Sequence, residues 1–185
     1  EQAVSEARKL DSKKKLDKPL SGIPIFIKDL TKTKGIRTTM GSRIYENDIP
    51  EEDDLVVEKI KNSGSIILGK SNTPEFGAGS QTFNDIFGTT LNPYDLTKTC
   101  GGSSGGAGTA LAMRMSPLCQ GSDMGGSLRN PAAWNNVVGF RTSIGRVPQL
   151  PSEITYNNYS VNGPMARNID DLTLLLSVMA GYDNR

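Results

Sequence analysis

The chain has 185 residues, enough for one domain with its own hydrophobic core, and 36% of its residues are hydrophobic. Its 21 basic and 20 acidic side chains leave a net charge of +1, which gives no electrostatic reason to expect a nucleic acid or an anionic membrane as a partner. Histidine is absent, and the two cysteines, Cys100 and Cys119, fit no zinc-binding or disulfide pattern.

The N-terminal residues predict a helix, a linker and a strand. Residues 1–10 have the amphipathic pattern of a short helix, and the three lysines at 13–15 are typical of a solvated linker. The apolar, β-branched run 23–27 predicts a buried strand. This strand ends abruptly in Lys28 and Asp29, so a charged pair lies at its carboxyl end.

A helix and a second strand follow. Asp53 or Asp54 can cap a helix that ends near Gly64, and residues 66–69 predict the next strand. This order of strand, helix and strand favours an α/β fold. Residues 71–103 are rich in Gly, Asn, Pro and Thr and predict a loop.

The second half of the chain predicts two more helices and short apolar strands. One helix begins after Ser104 and runs through Met115, and residues 118–121 predict a strand. Residues 137–140 form a further apolar piece. The last helix is expected between Asn168, its cap, and Gly181, its end.

Glycine is concentrated in two clusters, at 101–106 and 125–126. A phosphate-binding loop is a poor match, because no Gly-Lys-Ser/Thr follows at the required spacing. Two interpretations remain open from the residues alone. The glycines either form tight turns between packed elements, or they expose backbone N–H groups as an oxyanion hole beside a nucleophilic Ser127.

A nucleophilic serine needs a base, and this chain has no histidine to act as one. Carboxylates are too weak unless their pKa is greatly raised, whereas burial lowers the pKa of a lysine toward neutrality. Lys28 is the candidate because it ends an apolar strand, where sheet enzymes place reacting groups. The alternative is an ion pair between Lys28 and a nearby carboxylate such as Asp29.

The segment 101–148 resembles the signature segment of the amidase signature family. Four further segments resemble the same family in the same order, at 23–30, 68–77, 87–93 and 162–181. The resemblance implies an α/β fold with a mixed central β-sheet flanked by helices. It also implies a Ser-cisSer-Lys triad, with Lys28 as base, Ser103 as the bridging serine and Ser127 as nucleophile.

The resemblance implies further roles around this triad. The peptide bond between Gly102 and Ser103 is expected to be cis. The oxyanion of the reaction is expected to lie against the backbone N–H groups of four residues: Met124, Gly125, Gly126 and Ser127. No cofactor and no metal ion are implied.

Supporting and substrate-binding residues are expected nearby. Ser104 either joins the hydrogen-bond network of the triad or caps the following helix. Asp123 and Arg129 flank the nucleophile and are expected to support its turn. Gly77 and Gly102 are assigned to substrate binding, with a plain turn as the alternative for Gly77.

The function expected from these residues is hydrolysis of carboxylic amides to an acid and ammonia or an amine, through an acyl-enzyme. A stand-alone amidohydrolase is favoured, because residues 73–77 and 130–134 resemble the stand-alone enzymes of the family more than the amidotransferase subunits. The alternatives are an amidotransferase A-type subunit that supplies ammonia for aminoacyl-tRNA, and a non-catalytic binding module on the same fold.

The expected partner is a small-molecule amide. Family members are more than twice as long, so residues 1–185 are interpreted as the N-terminal part of a single domain whose C-terminal half is absent. Such a piece is expected to have little activity alone and to associate through exposed apolar sheet surface. With no secretory signal and no long apolar run, we expect a cytoplasmic protein.

Overall fold

The computed structural model describes residues 1–12, 16–152, 154 and 157–184. The three lysines at 13–15 that were predicted to form a linker lie outside the described residues. The helices are α1 Gln2–Asp11, α2 Leu55–Asn62, α3 Gly105–Ala112, α4 Arg129–Trp134 and α5 Ile169–Met179. The strands are β1 Pro24–Lys28, β2 Ile66–Ser71, β3 Phe83–Asn84, β4 Gly88–Thr89, β5 Leu91–Asn92, β6 Asp95–Thr99, β7 Leu118–Asp123, β8 Val138–Gly139 and β9 Val161–Ala166.

Five strands form the central sheet, in the order β2-β1-β7-β9-β8. Strand β1 is parallel to both of its neighbours, β2 and β7, and β9 is antiparallel to β7 and β8. The predicted mixed sheet flanked by helices is therefore confirmed. Because β1 and β7 lie side by side and run in the same direction, the chain segments that follow them meet at one edge of the sheet.

Helices cover both faces of this sheet. One core lies between the sheet and helices α2 and α5, and it contains Ile25 and Ile27 of β1. A second core lies between the sheet and helices α3 and α4, and Phe26 of β1 packs against it. The alternation of these three residues follows from the two-residue period of a strand. It also places the Lys28 side chain on the α3 side.

The predicted helix after residue 53 forms, but its capping differs from the prediction. Asp54 occupies the N-cap position of α2 without a capping hydrogen bond from its side chain. Its carboxylate accepts instead from the backbone N–H of Lys32, at 2.9 Å. The Asp53 carboxylate contacts the Lys61 amine at 2.7 Å. Both aspartates therefore tie α2 to its surroundings rather than closing its first turn.

The stretch 71–103, predicted as a loop, contains regular structure. It forms two small antiparallel sheets, β3-β4 and β5-β6, and a 3-10 helix at Glu75–Gly77. Most of these strands are two residues long, too short for an alternating pattern. Strand β9 was also missed, because Gly163 and Pro164 interrupt its apolar pattern.

In the part of the chain that the structure describes, no helix has the length and apolar character needed to cross a membrane.

Candidate active site

Lys28 is the last residue of β1, and its side chain is fully buried. Its ε-amine lies 2.7 Å from the hydroxyl of Ser103, 2.9 Å from that of Ser104 and 3.0 Å from that of Ser122. Three neutral hydroxyl groups therefore surround the amine. A neutral amine in this setting has two hydrogens to donate and one lone pair that accepts.

The environment of Lys28 makes the neutral form accessible near physiological pH. Burial lowers the pKa of Lys28 to about 7, although the negative charge of Asp123 opposes the shift. Within the described residues Lys28 forms no ion pair. The neighbouring Asp29 carboxylate instead accepts hydrogen bonds from the backbone N–H and hydroxyl of Thr39. The alternative interpretation, a Lys28–Asp29 ion pair, is thus not what the chain adopts.

Ser103 and Ser104 directly precede α3, whose first turn packs tightly against the residue that follows β2. A Cβ atom on Gly106 would lie 2.3 Å from the backbone nitrogen of Asn72, so only glycine fits there. The Gly102–Ser103 peptide bond is cis, as the family resemblance implied. The first glycine cluster therefore serves close packing at the start of α3.

Ser104 occupies the N-cap position of α3, but its side chain makes no capping hydrogen bond. Its hydroxyl donates to the carbonyl oxygen of Ser122 at 3.2 Å and accepts from the backbone N–H of Ser122 at 3.3 Å. It also accepts from the Lys28 amine. Of the two interpretations, the hydrogen-bond network is therefore the one that the structure contains.

Ser127 lies in the turn between β7 and α4 and is partly buried. Its carbonyl oxygen accepts from the backbone N–H of Ser104 at 3.1 Å, which ties the turn to the start of α3. Its hydroxyl forms no hydrogen bond with any described residue. The Lys28 amine thus contacts the Ser103 hydroxyl directly. The Ser127 backbone is bonded to Ser104, the residue after Ser103.

The turn that carries Ser127 is organised around Asp123, which is fully buried. Its carboxylate accepts from the backbone N–H of Gly126 at 2.9 Å and of Leu128 at 3.0 Å. The Arg129 guanidinium donates to the same carboxylate through Nε and Nη2, both at 3.1 Å. Burial alone raises the pKa of Asp123, but the hydrogen bonds from Arg129, Leu128 and Gly126 outweigh it and hold the pKa well below its ordinary value.

The same contacts decide which N–H groups are available to an oxyanion. The N–H of Gly126 is committed to Asp123. Those of Met124, Gly125 and Ser127 have no acceptor among the described residues. Gly126 has φ +127°, a conformation that strongly favours glycine. Of the four predicted donors, three therefore have no acceptor within the part of the chain that the structure describes.

The two glycines predicted to bind substrate lie in different surroundings. A Cβ atom on Gly77 would lie 3.5 Å from the Ser103 hydroxyl oxygen, so the Gly77 backbone borders the lysine site. The N–H of Gly102 donates to the Asn130 side chain at 3.0 Å, and a Cβ atom there would lie 2.8 Å from the Gln81 backbone. Gly102 is therefore packed inside the protein, and its N–H already has a partner.

Sequence reasoning missed Ser122, Asn130 and Arg141. Ser122 precedes Asp123 directly, so its place beside the lysine follows from the end of β7. Arg141 gave no local signal, because it lies 18 residues beyond Asp123 in sequence, yet its Nη1 is 2.9 Å from that carboxylate. The pairing of β8 with β9, and of β9 with β7, brings it there.

The described residues contain no group of three or more acidic, histidine or cysteine side chains placed to hold a metal ion. The two cysteines are buried and unpaired. Burial raises the pKa of the Cys119 thiol to about 12 and also raises that of Cys100. Neither thiol is therefore prepared for nucleophilic attack.

Comparison with known proteins adds three findings. The family model described as Amidase matches residues 1–185. The glutamyl-tRNA(Gln) amidotransferase A subunit of Sulfurisphaera tokodaii is 48% identical over 96% of this chain and 38% of its own length. Its counterpart in Saccharolobus solfataricus is 49% identical over 90% of this chain and 35% of its own length. The chain thus spans well under half the length of these relatives.

Solved structures share the fold. A bacterial aryl acylamidase of the amidase signature enzymes superimposes with a TM-score of 0.90 and 34% identity, over 99% of this chain and 39% of that one. The glutamyl-tRNA(Gln) amidotransferase A subunit of Thermotoga maritima gives a TM-score of 0.80 and 38% identity, over 89% of this chain and 36% of that one. The fold is therefore shared with proteins named for two different uses of amide chemistry.

Proposed function

Because the chain belongs to the amidase family, we propose that it carries the reacting groups of a serine amidase. Lys28 is the base, Ser103 the relay and Ser127 the nucleophile. The observation that carries this proposal is the buried Lys28 amine, 2.7 Å from the Ser103 hydroxyl and free of any ion pair within the described residues.

Acylation begins with proton transfer. The neutral Lys28 amine takes the proton of the Ser103 hydroxyl, and Ser103 takes that of Ser127. The Ser127 oxygen forms a bond to the amide carbonyl carbon, and the carbonyl electron pair moves onto the oxygen. The free N–H groups of Met124, Gly125 and Ser127 stabilise this oxyanion. Each such donor is worth about 3–4 kcal/mol in known cases.

Collapse of this intermediate breaks the carbon–nitrogen bond. The proton held by Lys28 returns through Ser103 to the leaving nitrogen, which departs as ammonia or an amine. Water then attacks the acyl-enzyme with the same groups acting in the same roles. The products are a carboxylic acid and the free Ser127 hydroxyl, so the protein returns to its starting state.

A second candidate function is supply of ammonia to a partner that modifies aminoacyl-tRNA. It is favoured by relatives named as amidotransferase A subunits, which reach 48% identity over 96% of this chain. Both candidates cleave an amide at Ser127. They differ in the amide: glutamine for the amidotransferase, and aliphatic or aryl amides for a stand-alone amidohydrolase.

A fluorophosphonate probe tests the shared chemistry. We expect covalent labelling at Ser127, located by mass spectrometry, and no labelling of the Ser127→Ala variant. Ammonia release from glutamine and from simple aliphatic and aryl amides then separates the two candidates. A protein that is folded at full length and is not labelled at all would be a non-catalytic binding module on the same fold.

Because the chain covers 38% of the length of its Sulfurisphaera relative, residues 1–185 are proposed to be the N-terminal part of a longer domain. All three proposed triad positions fall within this part. Activity should therefore be compared between the 185-residue chain and a longer version, with a small-molecule amide as substrate. Weak activity of the short chain together with labelling of the longer one fits this proposal.

A further inference from the structure

Two guanidinium groups contact the single carboxylate of Asp123. Arg129 donates to it through Nε and Nη2, and Arg141 donates to it through Nη1. Among the described residues these are the ion pairs that Asp123 forms. Two positive charges therefore face one negative charge, and a net positive charge remains beside the turn that carries Ser127.

The two arginines differ in how they hold the turn. The Arg129 side chain is 55% exposed, whereas that of Arg141 is 25% exposed. Nη1 of Arg141 also donates to the carbonyl oxygen of Asp123 and contacts that of Met124 at 3.5 Å. Its Nη2 donates to the carbonyl oxygen of Tyr159 at 3.0 Å. Arg141 thus binds the backbone at the start of the turn, and its position is fixed by a hydrogen bond to the segment before β9.

The contacts of Arg141 with the backbone involve the carbonyl groups of Asp123 and Met124, at the start of the turn. Asp123 and Met124 enter the turn, and the N–H groups of Met124, Gly125 and Ser127 lie within it. The Asp123 carbonyl shares a planar peptide unit with the Met124 N–H, and the Met124 carbonyl shares one with the Gly125 N–H. The hydrogen bond to the first carbonyl and the 3.5 Å contact with the second therefore limit rotation of those two N–H groups. Donors that are held in place before the reaction stabilise an oxyanion better than donors that must reorient during it.

We propose that Arg141 is a positioning residue for amide cleavage: it fixes the turn between Asp123 and Ser127 and places uncompensated positive charge beside the developing oxyanion. This inference rests on the proposed function of Ser127. Arg141 itself does not contact the reacting atoms, and it acts through Asp123 and Met124.

The test compares Arg141→Met, Arg141→Lys and Arg146→Met in the longest folded version of the protein. Methionine keeps much of the length of the side chain and removes both the charge and the hydrogen bonds. We expect Arg141→Met to lower kcat, and the maximal rate of fluorophosphonate labelling, about 10²-fold with KM changed less than about threefold. Arg141→Lys keeps the charge but not the fork of donors, so a loss of about 10-fold is expected. Arg146 is an exposed arginine of the same segment, and its variant should behave as the unmodified protein.

A second readout does not depend on activity. Hydrogen exchange of the Gly126 and Leu128 amides, which donate to the Asp123 carboxylate, should accelerate in Arg141→Met when followed by NMR and remain unchanged in Arg146→Met. If the unmodified protein is never labelled at Ser127, the proposed function fails, and amide exchange still reports whether Arg141 fixes the turn.

The positioning role is overturned if Arg141→Met keeps the kcat of the unmodified protein, or if its kcat falls only in proportion to the folded fraction, which leaves KM unchanged. Should Arg141→Met fail to fold, Arg141→Lys decides: kcat equal to that of the unmodified protein, with unchanged amide exchange, would overturn the role.

Discussion

Lys28 and Lys70 lie on neighbouring parallel strands and are surrounded in similar ways. In the register of β1 and β2, Lys70 pairs with Ile27 and Lys28 pairs with Ser71. Successive residues of a strand point to opposite faces, so the two amines lie on opposite sides of the sheet. Lys70 donates to the hydroxyls of Thr33 at 2.9 Å and Thr38 at 3.0 Å, and to the carbonyl oxygen of Thr31.

The difference between the two lysines lies in the charges around them. Burial lowers the pKa of Lys70 to about 8, and the carboxylates of Asp29, Asp54 and Asp53 act against that shift. Burial lowers the pKa of Lys28 to about 7, and Asp123 alone acts against it. Both amines have three oxygen atoms within hydrogen-bonding distance, so this feature alone does not identify a lysine that can act as a base. What distinguishes Lys28 is that one carboxylate raises its pKa against the effect of burial, whereas three carboxylates raise that of Lys70.

The largest expected effect is on catalysis. Lys28→Met should lower amide hydrolysis and labelling of Ser127 about 10²–10⁴-fold, the usual contribution of a positioned acid or base. Lys70→Met should lower them less than about 10-fold, because Lys70 faces the other side of the sheet. Rates measured on both purified variants check this contrast. Equal losses of rate in the two variants would contradict the assignment of Lys28, and not Lys70, as the base.

The next effect separates two hydroxyls that touch the same amine. Ser103→Ala should lower kcat about 10²-fold, because the relay is lost. Ser104→Ala should lower it less than about 10-fold, since the hydrogen of Ser104 is already directed to the carbonyl oxygen of Ser122. Steady-state kinetics at saturating amide measures both. A larger loss of kcat in Ser104→Ala than in Ser103→Ala would indicate that Ser104, not Ser103, is the relay.

Stability should depend on pH differently through each lysine. Between a folded pKa of about 7 for Lys28 and its higher unfolded value, the unfolded chain binds more protons, so the free energy of unfolding rises with pH. This contribution has a slope of about 1.4 kcal/mol per pH unit. Lys28→Met should remove it from about pH 7 upward, and Lys70→Met should remove its own share only from about pH 8 upward.

Urea unfolding of the three proteins between pH 6 and 10 measures these slopes. Each variant is compared with the unmodified protein at the same pH, so the contributions of all other titrating groups to the slope cancel. If Lys28→Met has the same slope as the unmodified protein between pH 7 and 8, Lys28 is not titrating there.

The smallest expected effect concerns the hydrogen bonds around Lys70. Thr33 is fully buried, and its hydroxyl accepts from Lys70. The same hydroxyl donates to the carbonyl oxygen of Thr31 at 3.1 Å. Thr33→Val therefore removes two hydrogen bonds and should lower the free energy of unfolding by about 1–3 kcal/mol, with labelling of Ser127 unchanged. Thermal unfolding and probe kinetics on one sample report both. A loss of labelling without a loss of stability would connect this network to the reaction.

Much of the fold followed from local patterns. The apolar run before Lys28 and the run at 66–69 predicted two buried strands, and the structure pairs them in parallel. The last helix follows its predicted cap, since the Asn168 side chain accepts from the N–H of Asp171. Strand β9 was not predictable from pattern, because Pro164 and Gly163 look like a turn until two neighbouring strands enclose them.

The candidate site was less accessible to sequence reasoning. The absence of histidine left lysine as the base, and the apolar strand singled out Lys28. Ser127 was raised as a nucleophile by the glycine cluster beside it, with a structural turn as the alternative, whereas Ser103 came from the family resemblance. Ser122 and Arg141 came from neither, because contacts between residues far apart in the chain depend on how the strands are ordered.

The central claim is that the Lys28 amine is uncharged in a large fraction of molecules at neutral pH. NMR titration of the lysine side chains, with the Lys28 signal assigned by its loss in Lys28→Met, measures this directly. The account predicts a midpoint of about 7 for Lys28. A midpoint near the ordinary lysine value of about 10.4 would contradict it, because the amine would then be charged whenever the reaction has to begin.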